Sequence, residues 1–187
     1  MKHSVYLIAS VAALALAGCK KSETPANDVV ASSSAPADAT MPAPAVAVSP
    51  DQAFADTAAA SDAFEIQTSQ LAAAKAQSAK VKNFAEAMIK AHTQSTAKLK
   101  TAAAAASPAI TPQPQLSPMQ QQTLQALTAQ SGAAFDTAYK QAQAEAHQMT
   151  LDKLKAYSAN GAQPSLKAFA TEMVPVVTGH LNMAKGL

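Results

Sequence analysis

Three histidines in the body of this 187-residue chain, His92, His147 and His180, each have an imidazole nitrogen to offer, and one carboxylate, Glu65, precedes them. Three imidazoles and a carboxylate can satisfy a Zn²⁺, Cu²⁺ or Fe²⁺ ion between apolar walls that cannot do so themselves. The same groups can instead hydrogen-bond to one another as a polar layer that fixes the register of packed helices. Either chemistry requires that they meet, and their positions along the chain put them at one height. Glu65 lies 13 residues before Ser78 and His92 lies 14 after it, while His147 lies 14 before Gly161 and His180 lies 16 after Pro164. If those two breaks share one end of an up-down-up-down bundle, all four side chains stand about 20 to 24 Å from that end. His92 and His180 fall in the apolar stripes of their segments. His147 falls toward the edge of its own, near the direction of Asp136, its expected hydrogen-bond partner outside the ligand set.

Other chemistries lack their residues. The Glu-x-x-His pairs of di-iron bundles are missing, and Glu145-Ala146-His147 has the wrong offset, which points the two side chains about 160° apart. The single cysteine is Cys19, and there is no nucleophile elbow and no Gly-rich phosphate loop. No enzyme is expected. All 14 basic residues are Lys and the net charge is +2, so the Arg forks that read phosphates and base edges are absent and nucleic acid is not an expected partner. Met88, Met149, Met173 and Met183 read as flexible fillers of a small-residue core. Lys75, Lys80 and Lys82 read as a solvated helix end.

The elements that carry these residues follow from composition. Of the 49% hydrophobic residues most are the 48 alanines; aromatics are 4% and Trp is absent. Alanine is the strongest helix former, and strands need the β-branched and aromatic residues that are scarce here, so the fold class is all-α. Phe54, Phe64 and Leu71 recur at helical spacing from Asp51 to about Gln77, and Val81, Phe84, Met88, His92, Ser95 and Leu99 do so in the next segment. The phase of the two stripes differs by about a quarter turn, which predicts a break near Ser78. Pro108, Pro112 and Pro114 interrupt the pattern, and Ser117-Pro118 starts a short helix to about Ala129. A long helix from about Ala133 to Ser158 turns Phe135, Tyr139, Ala142, Ala146, Met149 and Leu154 inward. After Pro164-Ser165 the last one carries Leu166, Phe169, Met173, Val177, His180, Ala184 and Leu187 on one stripe, with Pro175 expected to kink or interrupt it. Four long amphipathic helices with an extra short helix between two hairpins make an up-down-up-down four-helix bundle.

Ahead of the bundle, residues 1–18 have a basic start and an apolar run too short to span a bilayer, the layout of a signal peptide. The run ends in Leu16-Ala17-Gly18-Cys19, which resembles the bacterial lipoprotein processing box. Cys19 is then the lipidated N-terminus, and acyl chains hold the mature protein on the membrane. Lys20 after the cysteine favours the outer membrane, with the bundle facing the periplasm. Residues 19–50 are Ala-, Ser- and Pro-rich and cannot bury a core, so they form a tether, with the bundle domain at 51–187.

Phe64-Glu65-Ile66, Leu71-Ala72, Val81-Lys82-Asn83-Phe84-Ala85, Met88-Ile89 and His92-Thr93 resemble the first half of the ferritin-like bacterial domain of unknown function 4142. The run Phe135-Asp136-Thr137-Ala138-Tyr139, then His147, Leu166-Lys167-Ala168-Phe169-Ala170, Pro175 and His180-Leu181 resemble its second half. The family usually has an acid directly before the first histidine, where this chain has Ala91. What the resemblance implies is a ferritin-like four-helix bundle in the cell envelope, with no established reaction. The expected function is an envelope lipoprotein whose bundle binds a ligand or an envelope protein; the alternative is a metal-binding or redox protein using Glu65, His92, His147 and His180.

Only the Cys19 thiol can accept a diacylglycerol group, so Cys19→Ser should abolish lipidation, read as loss of labelled fatty-acid incorporation. Wild-type protein that is unlabelled and free in the periplasm would overturn the anchor.

Overall fold

A computed structural model describes residues 48–187; Cys19, the processing box and nearly all of the expected tether lie outside the described residues. Five helices follow one another: α1 (Pro50–Lys75), α2 (Ala79–Ala104), α3 (Pro118–Thr128), α4 (Gly132–Asn160) and α5 (Pro164–Lys185). The long four form two hairpins, α1 with α2 and α4 with α5, closed into a bundle by packing of α2 on α5 and α1 on α4, while short α3 lies against α1 and α4. The fold is the all-α bundle that the spacing predicts. No described helix is long and apolar enough to cross a membrane.

Helices α1, α2 and α3 start where a serine side chain takes up a free backbone N–H. Ser49 accepts from the Gln52 amide, Ser78 from that of Val81, and Ser117 forms a reciprocal capping box with Gln120. Pro50, Pro118 and Pro164 fill first-turn positions that need no donor. The break between α1 and α2 contains neither Gly nor Pro. It is held from outside, because the Asp136 carboxylate of α4 accepts from the Gln77 and Ser78 amides at 3.1 and 2.8 Å. Asp136 therefore anchors the first turn, more than two helical turns from His147, and is not the partner of that ring. Lys75 and Lys80 are likewise employed: their ammonium groups donate to the Thr128 carbonyl at the end of α3 and to the Gly186 carbonyl after α5. Gly161 is required by a close approach, since a Cβ there would lie 2.5 Å from the Tyr157 ring, which stacks on Phe54.

The interior is two apolar regions with a polar layer between them. One gathers Phe54, Leu99, Leu151, Leu166, Phe169 and Met173, among others, and the other Val81, Phe84, Met88, Leu127, Phe135 and Tyr139. Every inward position expected on α2 is buried. On α4 the buried stripe is Phe135, Tyr139, Ala142, Gln143, His147, Leu151 and Leu154, whereas Met149 is 53% exposed and Ala146 half-buried. The two polar side chains Gln143 and His147 occupy core positions there, so an apolar count drifts off the true face. His147 is central, 1% exposed, and not at an edge. Helix α5 runs through Pro175 as one element.

Leu166 is fully buried and Met119 is 62% exposed. Leu166→Ala should lower stability by about 2 to 5 kcal/mol, and Met119→Ala should stay within about 0.5 kcal/mol of wild type, both read by urea unfolding. Equal effects would show that the apolar region around Leu166 is not close-packed.

Candidate metal centre

Four helices supply the polar layer. On α1, Asp62 and Glu65 are three residues apart and so share a face; both are buried, at 5% and 1% exposure. Helix α2 contributes His92, α4 contributes Gln143 and His147 one turn apart, and α5 contributes His180. The three imidazole rings form a near-regular triangle, with centroids 5.6 Å (His92 to His147), 5.6 Å (His92 to His180) and 5.5 Å (His147 to His180) apart. One nitrogen of each lies within 4.8 Å of the other two.

Hydrogen bonds behind the rings decide which nitrogens face the centre. Nδ1 of His92 donates to Asp62 Oδ1 at 2.8 Å, and Asp62 Oδ2 accepts from the Thr96 hydroxyl at 3.2 Å. Nδ1 of His147 must also carry its proton, since it meets the carbonyl oxygen of Gln143 at 2.8 Å. A neutral ring that donates through Nδ1 keeps its lone pair on Nε2. Nε2 of His92, Nε2 of His147 and Nδ1 of His180 are all buried and have no hydrogen-bond partner. Buried ring nitrogens gathered without a partner are costly as a packed layer and, once deprotonated, are suited to a cation. Tethering of the far nitrogen to a carboxylate or carbonyl is the support that metal-binding imidazoles have.

Glu65 stands beside this triangle. Its Oε1 is 3.5 Å from Nδ1 of His147, the nitrogen behind the ring, and neither of its oxygens has a hydrogen-bond partner. The structure thus brings His92, His147 and His180 together, puts Glu65 behind His147, and leaves Asp136 at the first turn. Asp62 was missed by sequence reasoning. The available signal was its i, i+3 spacing to Glu65, which puts two acids on one face at the height of the histidines.

Electrostatics follow burial and these contacts. Burial pushes the Glu65 carboxyl up to about 7 against the pull of His92. Burial opposes charge on His92, yet the Asp62 hydrogen bond, with the Glu65 and Asp62 charges, outweighs it and holds this ring above its ordinary value. His147 is pushed down to about 3 by burial and then by the His92 charge; the same two causes push His180 down to about 4. Two of the three rings are therefore neutral, in the form that binds metal, at any pH where the protein is expected to work.

The chain belongs to the family described as domain of unknown function DUF4142, whose model matches residues 35–187 and so reaches back ahead of α1. No curated protein matches the chain. Among solved structures, CopM in the Cu(II)-bound form is similar in fold, with a TM-score of 0.61 and 17% sequence identity over 73% of this chain and 93% of that one. At that identity the likeness is one of fold.

Stability of the metal-free protein should peak at about pH 6.5. Below the ordinary histidine value of 6.5, the unfolded chain takes up protons that buried His147 and His180 refuse down to about 3 and 4, so stability falls with acid. From the ordinary carboxyl value of 4.5 upward Glu65 works the other way, because the unfolded chain loses a proton that the folded one keeps to about 7. Two groups against one leave a net fall on the acid side. On the alkaline side stability declines as Glu65 and then His92 give up the protons that folding favours. Thermal midpoints in chelator between pH 4.5 and 8 check this, and His147→Gln should flatten the acid limb. A profile that keeps rising above pH 7 would contradict it.

Proposed function

We propose that this chain is a metal-binding module of the bacterial envelope that holds one copper ion on His92, His147 and His180. The observation that carries the reading is the set of three buried, unpartnered imidazole nitrogens, two of them on rings locked by Asp62 and the Gln143 carbonyl with Nε2 turned away from those partners. Three imidazoles suit copper and zinc, and copper binds such nitrogen sites more tightly among the divalent first-row ions. The carboxylate that an iron site would take into its ligand set lies behind His147 here. That CopM, a protein of similar fold, has a Cu(II)-bound form supports copper further. Bound copper would supply a redox-active or transferable charge; the protein's residues would hold it, keep it from bulk water and balance it with Asp62 and Glu65.

We read the module as a non-enzymatic binder. The lipoprotein box at Cys19 supports an outer-membrane anchor with the bundle in the periplasm, and the absence of arginine argues against nucleic acid. A second reading, a binding module without metal, is favoured by an open cleft of about 510 Å³ between α1, α3 and α4, floored by Phe64, Ala142 and Ala146. Its size suits a small ligand.

Metal analysis and calorimetry on the purified protein separate the two. The metal reading expects one copper per chain, a higher melting temperature with copper, and affinity lowered by on the order of 100-fold or more on replacing any one histidine of the triad by Ala. Asp62→Asn should cost about 10- to 100-fold by loosening His92. If the layer is only structural, each substitution should instead destabilise the metal-free protein by about 1 to 3 kcal/mol. Identical melting with copper, zinc and chelator would leave the metal-free module as the function.

A further inference from the structure

His180 is held differently from its two neighbours. Hydrogen bonds fix the rings of His92 and His147, while among the described residues no group holds either nitrogen of His180, and this ring is half-buried where the others are buried. The helix under it is also weakened twice. Pro175 has no N–H, so the Thr171 carbonyl lacks its partner in the helical ladder. Gly179 directly precedes His180, and a Cβ built there would meet nothing within 4 Å. Its φ is not positive, because Gly132 is the one glycine of that kind among the described residues. Neither packing nor backbone conformation therefore calls for glycine at this position. What remains is its low helix propensity, about five-fold less favourable than alanine.

The surface next to this stretch is open. A cavity of about 380 Å³ lies in the seam between the start of α2 and the end of α5, lined by Asn83, Phe84, Asn182, Met183 and Leu187 among others. Its Phe84 ring meets His147 edge-on, with centroids 6.4 Å apart, so the cavity reaches from solvent to a side chain that borders the triad. Met183 is 48% exposed and lies one turn beyond His180 on the same face of α5. A thioether and an imidazole in succession suit a soft late transition ion and not Mg²⁺ or Ca²⁺.

We propose that metal enters and leaves the triad through this α2/α5 seam, meeting Met183 first and passing to His180, which swings as α5 flexes at Pro175 and Gly179. The proposal rests on the reading of the triad as a metal site. His92 and His147 are then the fixed half of the site and His180 the moving half. Flexing lets an ion reach nitrogens that are otherwise closed off from water.

Full-length wild type, Gly179→Ala and Met183→Leu provide the test. Hydrogen exchange of the metal-free proteins should show amides around 175–184 exchanging faster than those of α4 around 139–151, and Gly179→Ala should slow them about five-fold. With Cu(II) as the probe, followed by quenching of tyrosine fluorescence, Gly179→Ala should slow uptake and EDTA-driven release by the same factor of about five and leave the equilibrium affinity within two-fold. Met183→Leu, which keeps the bulk and removes the thioether, should slow both steps without altering exchange. Equal rates in all three proteins, or α5 amides as protected as those of α4, would overturn the portal. Absence of Cu(II) uptake by wild type would remove the metal reading and the portal with it, a failure distinct from binding at unaltered rates.

Discussion

Helix α1 turns a polar face into the bundle, and four side chains of that face have partners on other helices. Ser61 meets Thr150 at 2.7 Å, Asp62 meets His92 at 2.8 Å, Thr68 accepts from Gln143 at 3.1 Å and Ser69 meets Tyr139 at 2.8 Å. Each such bond contributes only about 1 kcal/mol net, but leaving one buried group unmatched costs about 1 to 3 kcal/mol. A slip of α1 by one turn against α2 and α4 would leave all of them unmatched together, a penalty comparable to the whole stability of an ordinary domain. Alanine-rich faces offer little shape contrast to prevent such a slip, since small side chains mesh almost equally well one turn along. The polar face supplies the register that the apolar one cannot. In that register the three histidines arrive at one height.

A layer that served register alone would be satisfied throughout, and this one is not. Thr68, Ser69 and Tyr139 are complete, yet at the triad both Glu65 oxygens and three ring nitrogens have no partner. His147 Nε2 keeps its lone pair, and the Glu65 oxygens are acceptors when that group is ionised. The unmatched polar atoms are therefore concentrated where four helices meet. The hydrogen bonds that are present add to this, because Asp62 and the Gln143 carbonyl each take the proton of one ring and so aim its other nitrogen inward. A cation that displaces the His92 proton resolves the imbalance, and that is the physical basis of the proposed copper site.

Much of this was legible in the sequence, because serine caps, prolines and helical spacing mark α2 to α5, and distance along the helices put Glu65, His92, His147 and His180 at one height. Less legible was anything that depended on α1, whose buried face mixes Asp62, Thr68 and Ser69 with alanine and so carries little contrast between inside and outside. Asp62 was lost for that reason. On α4, reading only apolar residues as inward misplaced Met149 and His147, since Gln143 and His147 take core positions that only their cross-helix partners make tolerable. Asp136 shows a related ambiguity: an acid near the direction of a histidine is as well suited to capping a neighbouring turn, and its bonds to the Gln77 and Ser78 amides compensate for the missing glycine there.

Copper K-edge X-ray absorption of the protein loaded with one Cu(II) per chain examines the proposed ligand set directly. Three imidazoles predict a first shell of nitrogen scatterers at about 2.0 Å, with the outer-shell pattern of about three ordered rings and no sulfur contribution. A shell of oxygen alone, one ring or none, or a sulfur scatterer would place the ion elsewhere and contradict a copper site built on His92, His147 and His180.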